Sequence, residues 1–179
     1  MSIEIERKFL VNKSNLISLL EFMPHCSYDI WQYYINENFR LRIETHSNGQ
    51  EESWLMIKTD SDRYDGPGIK RNEWKSSISN KEANDFKNII IKSKIGLGYI
   101  RKSRHLIRGP YADTKWEIDI FHGSNEGLII VEIELPCEEY DLGDLSAKQW
   151  LGKEVTDDER YYNAYLAKNP YQNWRKDDG

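Results

Sequence analysis

What this chain lacks narrows its function first. It carries only two cysteines, Cys26 and Cys137, too few for the disulfide framework of a small secreted domain. It contains no apolar run of membrane-spanning length, and Glu4, Glu6, Arg7 and Lys8 break up its first residues, which excludes a signal-peptide reading. A reducing cytoplasm is the expected compartment. No run of lysines is present, and 25 basic against 30 acidic residues leave a net charge of −5, so nucleic acid is not an expected partner. The four histidines (His25, His46, His105 and His122) are scattered and no paired cysteine motif accompanies them, so zinc is not expected. Gly96-Leu97-Gly98 lacks the strand–turn–helix setting of a phosphate loop, and no serine or cysteine has the partners of a nucleophile. The hydrophobic share, 39%, falls below the roughly 45–50% of ordinary globular domains. Aromatic residues at 12% argue against disorder as the reason. Charged groups are therefore expected inside the fold.

What is present reads mainly as strands. The length of 179 residues suits one domain spanning residues 1–179. Residues 3–11 alternate apolar and charged side chains, the two-residue period of a strand. Residues 28–35 and 39–45 predict a hairpin turning at Asn36-Glu37-Asn38, and 53–59 and 69–78 two further strands around a loop punctuated by Gly66-Pro67-Gly68. Residues 98–107, 115–121 and 128–135 complete the strand set, the last two as a hairpin through Gly123 and Asn125. A short helix is expected from 14 or 15 to about 22, ahead of Pro24. Ser79 and Glu82 form a capping box opening a helix to about 92, and Thr156 and Glu159 a second one opening a helix to about 167. About eight strands with few helices predict an α+β fold: an antiparallel barrel or sandwich with helices outside.

Side chains two apart on a strand share a face. Glu4, Glu6 and Lys8 align, as do Arg40 with Arg42, and Arg71 with Glu73 and Lys75. The same holds for Lys102 with Arg104, Glu117 with Asp119, and Glu132 with Glu134. One such strand alone is ordinarily a wet outer face. Across strands, however, carboxylates gather on the first and last two and cations on the middle ones, whereas a solvated surface intersperses its signs. That sorting favours an interior in which metal ions bridge an acidic wall to a polyanion facing a basic wall. Carboxylates on neighbouring strands offer all-oxygen ligation suited to Mg²⁺ or Mn²⁺, and arginines and lysines suit phosphoryl oxygens. In such a like-charged cluster, replacing Glu132 or Glu134 by Gln is expected to cost folding little.

The stretch from Glu4 through Glu6 to Lys8 resembles the ExExK signature of the CYTH family, the triphosphate tunnel metalloenzymes. These include inorganic triphosphatases, thiamine triphosphatases and class IV adenylyl cyclases. The resemblance runs on through Phe39-Arg40-Leu41-Arg42, Lys58, Arg71-Asn72-Glu73, Lys102-Ser103-Arg104, Glu117-Ile118-Asp119 and Val131-Glu132-Ile133-Glu134. It closes with Gly152-Lys153-Glu154-Val155-Thr156 and Arg160-Tyr161-Tyr162-Asn163, a pattern similar to that of short bacterial members. It implies an eight-stranded antiparallel barrel forming a tunnel, with peripheral helices. It further implies Glu4, Glu6, Glu132 and Glu134 as metal ligands, with Glu117 and Asp119 supporting a second ion. Lys8, Arg40, Arg42, Lys58, Arg71, Lys102 and Arg104 would hold the triphosphate, and Lys8 and Tyr34 would match a catalytic dyad. Lys75 departs from the pattern, standing where several relatives carry an acidic residue.

The expected activity is metal-dependent hydrolysis of a terminal phosphoanhydride, most simply of inorganic tripolyphosphate to diphosphate and phosphate. An adenylyl cyclase, a thiamine or nucleoside triphosphatase, or a silent polyphosphate-binding module are the alternatives. Lys8 can serve as a base only if deprotonated; burial and neighbouring arginines lower its pKa while Glu4 and Glu6 raise it. No contiguous motif marks an adenine pocket, although Trp31, Tyr33 and Trp54 are aromatic candidates for one. A small-molecule triphosphate is the expected partner, no membrane partner is expected, and a homodimer is compatible with the sequence.

Overall fold

The computed structural model describes residues 2–11, 16, 20, 26–60, 66, 68–110, 114–143, 145 and 148–175. The expected helix over 14–22, most of the loop around Pro67 and the terminal Lys176-Asp177-Asp178 lie outside the described residues, apart from Leu16, Leu20, Gly66 and Gly68.

Alternation of apolar and polar side chains yields strands β1 (Ser2–Val11), β2 (Cys26–Tyr34), β3 (Phe39–His46), β4 (Glu51–Asp60) and β5 (Ile69–Ile78). Strands β6 (Gly98–Arg108), β7 (Lys115–His122) and β8 (Ile129–Glu134) follow. All pairings are antiparallel, and the order β5-β4-β3-β2-β6-β7-β8-β1 closes on itself because β1 also pairs with β5. This is the expected eight-stranded barrel. Closure falls on β1, whose first half pairs with β5 (Glu4 opposite Arg71) and whose second half pairs with β8 (Lys8 opposite Glu132).

The barrel is inverted relative to an ordinary core. Most of its apolar side chains point outward and are covered from outside, while Ile100, Phe121 and Ile130 share the inward parity at one end. Ile5, Phe9, Trp116, Ile118, Val131 and Ile133 form one outer cluster with Leu16 and Leu142. A second outer cluster joins Tyr33, Leu41 and Ile43 to Ala83 and Ile90 of helix α1 (Asn80–Ser93). Full burial of a side chain such as Ile90 contributes about 1.5–3 kcal/mol, so the helix holds its strands from outside and leaves their inner faces polar. The predicted capping box opens α1: Ser79 N–H donates to Glu82 at 2.9 Å and Glu82 N–H to the Ser79 hydroxyl at 3.2 Å.

Two features of the C-terminal region differ from expectation. A ninth strand, β9 (Leu151–Glu154), pairs with the part of β1 around Phe9 to Val11. Its four residues show no alternation; the strand exists because β1 offers a free edge and because Arg7 grips Glu154 through two hydrogen bonds of 2.8 and 2.7 Å. The expected capping box at Thr156 is not formed. Its hydroxyl accepts from the Lys8 backbone N–H at 3.0 Å and donates to Glu154 at 2.7 Å. A 3₁₀ turn occupies Glu159–Tyr161, and helix α2 (Asn163–Lys168) starts later and is shorter. Leu166 and Ala167 of α2 pack with Tyr34, Ile100, Phe121 and Ile130, so this helix plugs one end of the barrel with apolar contacts.

Candidate active site

The inward faces enclose a cavity of about 770 Å³. Of the side chains anticipated from sequence, Glu4, Glu6, Lys8, Tyr34, Arg40, Arg42, Lys58, Arg71, Lys102, Arg104, Glu117, Glu132 and Glu134 all line it. Asp119 stands behind that lining, fully buried. Its two oxygens accept from Arg104 at 2.7 and 2.6 Å, and Lys102 also donates to it. Arg71 lies over the Tyr162 ring, 4.7 Å from its centroid. Arg71 and Glu73 do not pair with each other; Glu73 faces Lys58 at 3.5 Å and Arg40 at 3.8 Å. Lys75 also lines the cavity, adding a cation where relatives of this type were expected to place an acid.

The walls are not separated by sign in space, although their strands are in sequence. Basic β6 is the direct neighbour of acidic β7, and most carboxylates therefore meet a cation. Glu132 accepts from Lys8 and, at 2.8 Å, from Arg104. Lys8 also contacts Glu6 at 3.1 Å, Lys58 bonds Glu4, Arg42 bonds Glu44, and Arg104 bonds Glu117. This removes the premise that deleting one carboxylate merely relieves repulsion.

Protonation follows from these contacts. Burial acts to depress the Lys8 pKa, but Glu132 and Glu6 together outweigh it and raise it. The competition left open by sequence thus goes to the glutamates, and Lys8 is an ammonium. Burial raises the Tyr34 hydroxyl as well, and that hydroxyl donates to Gln32 at 3.1 Å rather than to Lys8. Burial pushes Glu4 up to about 7 against the pull of Lys58. Glu6 moves the other way, to about 2, because Lys8 and Lys58 outweigh its burial. Lys102 is drawn down to about 8: burial and the nearby Arg104 prevail over Asp119, even though Asp119 is its hydrogen-bond partner.

The carboxylates of the β1–β8 edge suit a divalent cation by donor type, but among the described residues they are not drawn into a group of three with ligand atoms within 4.8 Å of one another. Glu6 and Glu134 are direct cross-strand partners, a like-charge juxtaposition that is unfavourable without a counterion. Among the described residues Glu134 makes no ion pair, and partial enclosure together with Glu117 and Glu6 raises its pKa. An all-carboxylate donor set of this kind suits hard divalent ions. The opposite wall shows the complementary need. Nε of Arg40 and Nε of Arg42 are buried without a hydrogen-bond acceptor among the described residues.

Several lining residues escaped the sequence reading. Gln32 and Tyr28 lie on the inward face of β2, and Glu44 and Glu52 on those of β3 and β4; carrying the even-numbered parity of Tyr34, Arg42 and Lys58 along their strands would have found them. Tyr162, Tyr165 and Lys168 reach the cavity from the C-terminal segment, which no strand period could indicate. Of the three aromatic candidates for a base pocket, only Trp54 lines the cavity. Trp31 and Tyr33 stack on each other at 6.2 Å and on Tyr99 outside the barrel. Among the described residues no helix is long and apolar enough to cross a membrane.

Comparison with known proteins agrees with this architecture. The CYTH domain matches residues 2–162. Over 176 residues, covering 98% of this chain and 100% of the relative, the sequence is 32% identical to an inorganic triphosphatase of Acetivibrio thermocellus. The fold is similar to that of the inorganic triphosphatase NE1496, with a TM-score of 0.57, 23% identity, and coverage of 94% of this chain and 97% of the other. It is also similar to the PH1819 protein from Pyrococcus horikoshii OT3, with a TM-score of 0.53, 20% identity, and coverage of 77% and 80%.

Proposed function

Because this chain belongs to the CYTH domain family, we propose that it hydrolyses a short linear triphosphate, with inorganic tripolyphosphate as preferred substrate and diphosphate and phosphate as products. The observation that carries this reading is the pair of buried, acceptor-less Nε–H groups on Arg40 and Arg42. A buried donor left unpaired costs about 1–3 kcal/mol, and an anionic substrate offers acceptors to this pair of guanidiniums, both of which line the cavity. The 32% identical relative, itself named an inorganic triphosphatase, supports the same substrate class.

In this reading Glu4, Glu6, Glu132 and Glu134, with Glu117 at the edge of that set, would hold Mg²⁺ or Mn²⁺, which would supply Lewis-acid charge for phosphoryl oxygens and the attacking water. The side chains do the rest. Arg40, Arg42, Lys58, Arg71, Lys102 and Arg104 bind the polyanion and neutralise charge gathering on the leaving diphosphate. Lys8, as an ammonium, donates to a phosphoryl oxygen instead of accepting a proton. Tyr34 keeps its proton and, oriented by Gln32, offers a hydroxyl donor. Asp119 positions Lys102 and Arg104 from behind.

Selectivity follows from the lining. A linear polyanion gains contacts along its whole length from the charged lining, whereas of the aromatic trio Trp31, Tyr33 and Trp54 only Trp54 lines the cavity, beside Tyr28, Tyr34, Tyr162 and Tyr165. Specificity is decided by differential transition-state binding, so kcat/KM for tripolyphosphate exceeds that for ATP and for thiamine triphosphate. The test is a side-by-side assay of the three with Mg²⁺ and with Mn²⁺, measuring phosphate and cyclic AMP. Preference for an organic triphosphate, or cyclic AMP as product, overturns the substrate assignment.

A further inference from the structure

At the far end of the β3–β4 hairpin the structure assembles a group that the phosphate chemistry does not use. Glu44 and Glu52 are direct cross-strand partners, and His46 lies two residues beyond Glu44 on the same face. The hairpin holds this spacing: His46 N–H donates to the Gln50 carbonyl and Gly49 N–H to the His46 carbonyl, both at 2.9 Å, with Gly49 at φ +82°. A carboxylate oxygen from each glutamate and a ring nitrogen of His46 all lie within 4.8 Å of one another.

Two observations indicate a ligand. Two carboxylates facing each other across adjacent strands repel, and among the described residues the cation attending them, Arg42, pairs with Glu44 and not with Glu52. Independently, Nε2 of His46 is shielded from solvent and has no hydrogen-bond partner among the described residues, which is costly for a buried polar atom. The Tyr28 ring, 5.2 Å from the His46 ring, limits the orientations available to the imidazole.

We propose that Glu44, His46 and Glu52 form a second metal site at the barrel mouth, for a zinc-class divalent ion. One imidazole nitrogen and two carboxylates form a three-protein-ligand set that leaves a position for water or an anion. The nitrogen donor distinguishes it from the all-oxygen carboxylates on β1 and β8, since imidazole suits zinc whereas Mg²⁺ takes oxygen ligands and keeps its waters. The glutamates have capacity for it: each carboxylate offers about four lone-pair sites, while Glu52 has one oxygen engaged by the Gln50 amide at 3.2 Å. Because Glu44 also pairs with Arg42, an ion here competes with that guanidinium for the carboxylate and loosens Arg42 toward the cavity.

The site does not depend on the triphosphatase reading and is tested apart from it. Full-length protein is titrated with Zn²⁺ by calorimetry in excess Mg²⁺, which occupies the all-oxygen site. Wild type is expected to bind Zn²⁺, and H46Q and E52Q to bind it at least about tenfold more weakly, by analogy with losses at metal sites. E132Q, on the opposite wall, is expected to retain it. Glu52 is only partly buried, so E52Q carries the test if H46Q fails to fold; melting curves of both variants establish which applies. No Zn²⁺ binding above the Mg²⁺ background overturns the site. So does Zn²⁺ binding that H46Q and E52Q leave unchanged, or binding lost in E132Q alone.

Discussion

Glu132 is the residue at which charge, folding and proposed activity meet, and E132Q separates them. Burial works against its ionisation, yet Lys8, Lys102 and Arg104 hold its pKa well below the ordinary carboxylate range. Glutamine preserves the shape and one acceptor but removes the charge. Deleting one partner of a buried ion pair typically costs about 3–5 kcal/mol. Here the cost is reduced because Lys8 keeps Glu6 at 3.1 Å and Arg104 keeps both oxygens of Asp119. We therefore expect a loss of about 2 kcal/mol for the metal-free protein, which for a chain of this size lowers Tm by about 4–8 °C. The pH dependence has a definite sign. A depressed carboxylate pKa contributes stability that is complete above the unfolded value of about 4.3 and disappears as pH falls through the folded value. The gap between wild type and E132Q is thus full at neutral pH and closes below about pH 4. Scanning calorimetry in EDTA across this range measures it, and tripolyphosphate hydrolysis with Mg²⁺ is expected to fall at least about 100-fold alongside. A Tm equal to or above that of wild type at neutral pH would refute the interleaved ion-pair account and restore the picture of a purely repulsive acidic wall.

Three further outcomes are expected. With Lys102 titrating near 8, its cationic form is lost as pH rises through that value, so kcat/KM declines on the alkaline side; K102R, which does not titrate there, removes that limb, and an unchanged limb assigns it elsewhere. Deletion of residues 1–8 abolishes both cooperative unfolding and hydrolysis, because β1 closes the barrel against β5 and β8; a folded, active truncation contradicts the closure. Gly96 has φ +103° and a Cβ there falls 2.3 Å from the Tyr34 carbonyl oxygen, so G96A destabilises by more than about 1 kcal/mol. An unchanged denaturant midpoint for G96A rules out that close approach.

Much of the fold was legible because strand information is local. A two-residue period states which side chains share a face, and Glu4-Glu6-Lys8, Arg40-Arg42 and Glu132-Glu134 needed nothing more to be grouped. The Ser79–Glu82 capping box is equally local, since its partners are three residues apart. The Thr156–Glu159 pattern failed for the opposite reason: a partner 148 residues away, the Lys8 backbone, took the hydroxyl. Strand β9 was invisible because an edge of β1, and no alternation of its own, makes it a strand.

Period alone also left two ways to turn each polar face, toward solvent or inward, and only closure through the β1–β5 pairing made the inward one real. Which charges touch was likewise beyond the sequence. The composition supplies Lys8 with both acidic and basic company, but register places Glu132 opposite it, and Coulomb energy depends on that distance. His46 shows the same division. In one dimension it is a lone histidine among four; the hairpin register that sets Glu52 opposite Glu44 turns it into the third member of a cluster. Residue types and their periodicity determined what chemistry was available to this chain. The long-range pairing of strands, cooperative and paid for only when the barrel closes, decided which of those groups meet.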